Sequence, residues 1–400
     1  MKNREFWKGL AAGILMAVIF FAAGIWGYHQ GLFSGGWVLS DSAHVKKLRE
    51  LEYMIDRYYL EEKNEEALAE GLYTGLLYGL GDPYSRYYTA EEYKQANEAT
   101  EGSYEGIGIV LQKNSGGGVK VVLCYEGGPG KEAGMKEDDI ISAIDGEDIT
   151  DMAFGEVVSL IKDSEKEKVT LTVHREEEEE PLEIIVAVTD VELPSVFYEM
   201  LDDRTGYMQI TEFTGVTYNQ YMEAFADLTD SGMESLVVDL RGNPGGLLDS
   251  VCDILRQILP EGLIVYTEDK YGNREEETCD GANPLKIPLA VLVNENSASA
   301  SEIFAGAVQD YGVGTIVGTN TYGKGIVQAI RTLTDGSAVK LTVSRYYTPK
   351  GNDIHKVGIS PDIPVELDVN LLAKDEISHE EDNQLQKALE VLHGNLNSNG

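Results

Sequence analysis

Two short apolar runs, SLVVDL at residues 235–240 and PLAVLV at 288–293, most constrain what this chain can fold into. Runs of this length with almost no polar interruption read as buried strands, covered on both faces. They sit in a longer alternation. GYMQITEF is followed by a helical stretch around TYNQYMEAFADL, SLVVDL by LLDSVCDILRQIL, and PLAVLV by a helix starting near Ser299, before GTIVG and AVKLTVS. Strand–helix alternation of this kind predicts an α/β domain with a substantially parallel sheet, over residues 191–370. The amphipathic QLQKALEVL then falls in a C-terminal helix and tail, residues 371–400.

The segments upstream have a different texture. In VKKLRELEYMIDRYYLEE, Leu48, Leu51, Met54, Ile55 and Tyr58 recur at three- and four-residue steps, which predicts a helical module over residues 42–95. Gly81, Asp82 and Pro83 break that pattern, and Thr89 with Glu92 three residues on predicts a capping box. Residues 96–190 read as one small strand-rich domain. GIGIVL, VKVVLC, DIISAIDG, VTLTVHRE and LEIIVAV are its strands, and AFGEVVSLIK is a helix with Phe154, Val157, Val158 and Ile161 on one side. The acidic run 176–180 reads as a solvated hairpin tip.

At the N-terminus, Lys2, Arg4 and Lys8 precede an uncharged run over residues 9–26. At ~1.5 Å per residue it covers most of a ~30 Å hydrocarbon layer, so residues 1–30 read as an uncleaved signal anchor. The leading positive charge puts the N-terminus in the cytoplasm and the rest of the chain on the far side, at the cell membrane in a single pass. The formal charge of -37 would repel phosphate backbones and argues against nucleic-acid binding. Cys124, Cys252 and Cys279 are odd in number and lack C-x-x-C spacing, which points to neither a disulfide framework nor a metal site.

Chemistry in such sheets sits where strands end and helices begin, because backbone N–H groups are free there. One such place is the glycine-rich turn RGNPGG at 241–246, whose amides can approach a ligand closely. Another is VNENSASASE at 293–302, where Ser297, Ser299 and Ser301 each suit a helix cap and each lie where a helix N-terminus favours developing negative charge. A nucleophilic serine needs a base. His355, in GNDIHKVGISPDIPV, is the histidine with motif-like company in the α/β segment, and Lys324, in TNTYGKGIVQ, is the other candidate. A lysine is protonated at neutral pH unless burial lowers its pKa by ~3 units or more. The glycines beside Lys324 would let the backbone carry it into a closed site, with Gln328 orienting the amine if the intervening turn is helical.

The blocks GDPYSRYY, YEGIGI, GGPGKEAGMKEDDIISAIDGEDI, VVDLRGNPGG, VNENSASASEI, TYGKGIVQ and GNDIHKVGISPDIPV, in this order, resemble the carboxyl-terminal processing proteases. These are membrane-associated serine proteases with an embedded PDZ domain and a Ser–Lys dyad, and the resemblance covers nearly all of the chain after the anchor. It implies a crotonase-like α/β peptidase core with an inserted PDZ domain at 96–190. It also implies Ser299 as nucleophile, Lys324 as general base, Gln328 as its support, and the N–H groups of Gly245 and Ala300 as oxyanion hole. Amides around Gly106, Ile107, Gly108 and Ile109 would hold the C-terminal carboxylate of protein substrates with free, apolar or small C-termini. The PDZ domain could then block the site until a tail docks. No metal or organic cofactor is implied. Two rival functions remain open: a non-proteolytic membrane-anchored PDZ scaffold, and an acyl-thioester enzyme of the crotonase class, which explains neither Lys324 nor the PDZ segment. The helices at both ends allow a homodimer.

Overall fold

A computed structural model describes residues 38–162, 167–202, 204–374 and 377–398. The expected anchor at 9–26 lies outside them; among the described residues no helix is long and apolar enough to cross a membrane. The chain divides into two compact units, residues 1–75 and 76–400. In the first, helix α1 (Ser42–Tyr58) is capped by Asp41, whose carboxylate accepts from Ala43 N–H, and it carries the predicted apolar stripe. None of its side chains is buried. Helix α2 (Glu65–Tyr78) follows and runs into the second unit.

The second unit opens with β1 (Arg86–Tyr88) and α3 (Ala90–Glu101). The capping box is present: Thr89 Oγ1 accepts from Glu92 N–H at 3.2 Å while Glu92 accepts from Thr89 N–H at 3.0 Å. Next come β2 (Ser103–Gly106), β3 (Ile109–Lys113), β4 (Val119–Cys124), the short α4 (Pro129–Glu132), β5 (Ile140–Ile144), β6 (Glu147–Asp148), α5 (Phe154–Lys162), β7 (Lys168–His174), β8 (Leu182–Ala187) and β9 (Thr189–Glu192). Strands β3, β4, β5, β7 and β8 form one antiparallel sheet, and β2 pairs with β9 to close the segment at its neck. The predicted apolar side of α5 splits in two. Val157 and Ile161 enter the core of this sheet, whereas Phe154 and Val158 line an open groove beside it.

The remainder supplies β10 (Val196–Met200), β11 (Thr205–Ile210), α6 (Thr217–Asp230), β12 (Ser235–Asp239), α7 (Leu248–Leu255), β13 (Gly262–Asp269), β14 (Arg274–Cys279), β15 (Leu289–Val293), α8 (Ala300–Tyr311), β16 (Thr315–Gly318), β17 (Ile326–Thr332), β18 (Ala338–Tyr347), β19 (Ile363–Pro364) and α9 (Asn383–Ser398). The main sheet runs β10-β11-β12-β15-β16-β19, with β10 antiparallel to β11 and the other pairs parallel. The unbroken apolar runs have a direct cause. Val238 and Val291 face the core built by α6, α7 and α8, while Val237, Ala290 and Leu292 face Leu385, Ala388 and Leu392 of α9. Both faces of β12 and β15 are thus covered by helices, and every residue of both strands is buried.

A second sheet, β1-β18-β13-β14 with β17 on β18, is antiparallel and flanks the first. It corrects one expectation. The segment from Lys324 to Gln328 forms no helical turn: Gln328 lies in β17 opposite Thr342, one step past a register shift in the pairing.

Candidate active site

The ends of β12 and β15 bring the glycine turn and the serine run side by side. Asn243, fully buried, stitches the two loops together. Its Nδ2 donates to Ile210 O at 2.8 Å and its carbonyl accepts from Ala298 N–H at 3.0 Å. Ser301 Oγ donates to that same carbonyl at 3.1 Å, and Ser297 Oγ donates to Leu240 O at 2.8 Å. Both serines are completely buried and serve as struts. Ser299 is the one of the three left partly accessible.

Its backbone is unusual. Ser299 holds φ 55° and ψ -114°, a conformation that side-chain-bearing residues rarely adopt, at the N-cap of α8. The following amide, Ala300 N–H, has no hydrogen bond among the described residues, as expected at the first turn of a helix. Gly245 packs against the same spot with φ 106°. A Cβ there would lie 2.7 Å from both Ser299 Cβ and Ala298 O, and 2.9 Å from Ala300 N. The Gly245 N–H is engaged, donating to Asn243 Oδ1 at 2.8 Å. Gly245→Ala is therefore expected to displace Ser299 and lower kcat/KM by about 10²-fold or more, the scale of a misplaced catalytic group. Turnover measured beside a melting curve checks this, and activity within threefold of the parent would contradict it.

Glu302, three residues into α8, is the residue that sequence reasoning missed. It is fully buried and accepts four hydrogen bonds. Oε2 takes Ser299 N–H at 2.9 Å and Lys324 N–H at 2.7 Å; Oε1 takes Gly323 N–H at 2.7 Å and Thr321 Oγ1 at 2.6 Å. The available signal was the S-x-x-E spacing from Ser299 to Glu302, a capping-box pattern.

Lys324 stands in the loop between β16 and β17, with its amine half-buried. Burial lowers its pKa, the Lys340 charge lowers it further, and Glu302 acts in the opposite direction. Nζ lies 5.1 Å from the centroid of the Tyr84 ring, and no hydrogen bond joins it to Ser299 among the described residues. Its flanking glycines are required by close packing: a Cβ on Gly325 would meet His355 N at 2.4 Å. Tyr346 is fully buried behind the loop and its hydroxyl donates to Lys324 O. Burial first, and then Glu302, raise the Tyr346 phenol well above its usual pKa, while a hydrogen bond with Ser299 acts against them. Gln328 Nε2 is buried without a hydrogen-bond partner among the described residues, and so is His355 Nδ1. His355, Tyr84 and Tyr322 line a cleft of about 920 Å³ beside the lysine loop. At the far end of the glycine turn, Arg241 binds Asp239, Asp382 and Gln384, tying α9 to the strand that carries the loop.

A serine and a half-buried lysine brought onto one carboxylate fit acyl transfer, and comparison with known proteins bears on this directly. The model of peptidase family S41 matches residues 204–365, and that of a PDZ domain matches 120–175. The chain is 33% identical to the carboxyl-terminal-processing protease of Synechocystis sp., over 99% of this chain and 95% of that protein. This is a peptidase of family S41, of the carboxyl-terminal processing type. The S41 chain is also 33% identical to a "Probable CtpA-like serine protease" of Staphylococcus aureus, over 82% of its own length and 66% of that protein's. The solved photosystem II D1 C-terminal processing protease is similar at 29% identity, with 79% of this chain and 86% of that one covered and a TM-score of 0.47.

The PDZ domain of the S41 chain presents an apolar groove of about 410 Å³ between β3 and α5. Gly106 ends β2, opposite Thr189 of β9, and Ile109 begins β3, opposite Cys124 of β4. Between them Ile107 N–H is without a hydrogen bond among the described residues, while Gly108 N–H donates to the Tyr104 hydroxyl, acting against the burial that raises that phenol's pKa. At the other rim, Lys162 Nζ pairs with Glu98 of α3 at 2.8 Å.

Proposed function

We propose that this S41 peptidase is a membrane-anchored, extracytoplasmic endopeptidase that takes protein tails through its PDZ groove and cleaves with Ser299 and Lys324. The observation that carries this reading is the shared carboxylate oxygen. Glu302 Oε2 accepts from both Ser299 N–H and Lys324 N–H, so two residues far apart in sequence are fixed on one atom at a helix N-terminus. Neutral Lys324 takes the Ser299 proton as Oγ attacks the peptide carbonyl, and the resulting lysinium protonates the leaving amine. Ala300 N–H stabilises the oxyanion, joined by Gly245 N–H once it exchanges Asn243 for the substrate oxygen. Gln328, with its amide unpartnered in β17, supports the amine once Lys324 turns toward Ser299. Water activated by the same lysine releases the acyl-enzyme. The parallel sheet with helices on both faces supports a crotonase-like core.

The unbonded amide of Ile107, joined by Gly108 N–H once it exchanges the Tyr104 hydroxyl for the ligand, with Gly106 and Ile109 at their flanks, supplies donors for a C-terminal carboxylate, and the apolar groove takes the last side chain. Positive charge ahead of the run at 9–26 supports an anchored chain with its catalytic part outside the cytoplasm, and the terminal helices support a homodimer.

The test uses the full chain in detergent and an unfolded protein ending in an apolar residue. Cleavage is expected, and it should fall when that C-terminus is amidated or ends in Asp. Because Lys324 must be neutral to act, and burial lowers its pKa, kcat/KM should rise with pH through an ionisation below the ordinary ~10.4 and be lost beneath it. Tail binding without cleavage at any pH, or cellular effects unchanged in Ser299→Ala, would favour a scaffold role for the chain.

A further inference from the structure

The block GDPYSRYY takes no part in the chemistry described so far, yet its tyrosine meets the lysine loop. Asp82 accepts from Tyr84 N–H at 3.1 Å and from Ser85 Oγ at 2.6 Å, and Ser85 Oγ accepts from Thr342 N–H of β18 at 3.1 Å. The next residues pair with the same strand, Arg86 opposite Lys340. Tyr84 is thereby planted on the sheet that flanks the site. Its ring lies 5.1 Å from Lys324 Nζ, within the ~6 Å range of a cation–π contact. Its hydroxyl donates to the Tyr322 hydroxyl at 3.4 Å, and Tyr322 N–H donates to Ser297 O at 3.0 Å.

An aromatic face attracts an ammonium group and not a neutral amine. The neutral amine is the form that can accept a serine proton. The other ionisable groups facing the lysine divide between the two forms: Glu302 of α8 favours the charged one, and Lys340 of β18 opposes it. Tyr346 of β18 is buried and stays neutral, as does Tyr84, whose phenol is pushed up to about 12 by its bond to Tyr322 and by burial. His355 lines the adjoining cleft. Among the described residues no carboxylate forms a salt bridge with Nζ, so the ring is its direct partner.

We propose that Tyr84 is a positioning residue that holds the Lys324 ammonium on its ring face in the resting enzyme, so that the amine reaches Ser299 only after leaving that face. The proposal rests on Lys324 being the general base. Tyr84 acts through the lysine and touches no reacting atom.

The test compares Tyr84→Phe, which keeps the ring, with Tyr84→Leu, which removes it. Loss of the ring withdraws support from the charged form, so the acid limb of kcat/KM in Tyr84→Leu should move to lower pH by about 0.5 or more, while Tyr84→Phe keeps the parent profile. Should Tyr84→Leu be too weak to assay, the same comparison is made without activity, by titrating the Lys324 Cε signal by 13C NMR in the Ser299→Ala full chain. A midpoint unchanged in Tyr84→Leu, or moved equally in Tyr84→Phe, overturns the proposal. A midpoint that moves by NMR with no matching kinetic limb sinks the base assignment instead, and with it the path from ring to serine.

Discussion

Lys324→Met is expected to lower kcat/KM by about 10³-fold or more while the protein stays folded and still binds tails. A positioned general base contributes ~10²–10⁴-fold. Methionine keeps most of the stem's apolar contacts. Because Nζ forms no salt bridge among the described residues and the buried Glu302 keeps its four hydrogen bonds, the melting temperature should stay close to the parent's. Ser299→Ala should cost as much, and the double variant no more than either alone, because the proposed nucleophile and base would act as a unit. Single-turnover cleavage beside anisotropy of a fluorescent tail peptide separates chemistry from binding. Activity within tenfold of the parent in Lys324→Met would mean that another group takes the serine proton.

The contrast between what could be read in the sequence and what could not follows the range of the forces. The strands at 235–239 and 289–293 were legible because both faces are buried and the apolar run is continuous. The helix at 217–230, the capping box at Thr89 and Glu92, and the solvated tip at 176–180 depend on neighbours a few residues away. Strands β13, β14 and β17 were missed for the opposite reason. REEETC carries charge on an exposed face, and β17 is set by its pairing with β18, not by its own pattern. For the same reason, local pattern leaves a helical turn from Lys324 to Gln328 open where the pairing with β18 makes a strand.

In the site, local pattern left the three serines equivalent. Ser297 and Ser301 are distinguished by acceptors more than fifty positions away, Leu240 O and Asn243 O, which no short motif encodes. The resemblance of the whole chain points to Ser299, and of the three it is the one the fold leaves partly accessible. The cleft tyrosines Tyr84 and Tyr322 are separated by most of the chain and meet only through the flanking sheet. Glu302 is an intermediate case. Its spacing from Ser299 marks a capping box, but its reach to Gly323 and Lys324 is tertiary.

That reach makes Glu302→Gln the substitution with the largest expected structural effect at the site. The carboxylate offers two acceptor oxygens to four donors, whereas the amide offers one oxygen and turns an NH₂ toward two N–H or O–H groups. In either orientation two buried donors lose their partner, at about 1–3 kcal/mol each. If the NH₂ faces Thr321 and Gly323, the lysine loop shifts; if it faces Ser299 and Lys324, those two residues lose their common anchor. Both routes lower kcat/KM, by about 10²-fold on the scale of a misplaced catalytic group. The pH profile distinguishes this from simple unfolding. The Glu302 charge raises the Lys324 pKa, so its removal should carry the acid limb of the residual activity to lower pH. Glu295 is the matched control: it lies on the loop leading into α8 but is exposed, among the described residues accepts one bond, from Thr319 Oγ1 at 3.1 Å, and its change to Gln should alter neither rate nor limb. A Glu302→Gln protein with the parent's melting temperature and kcat/KM would show that the shared carboxylate is not what holds serine and lysine together.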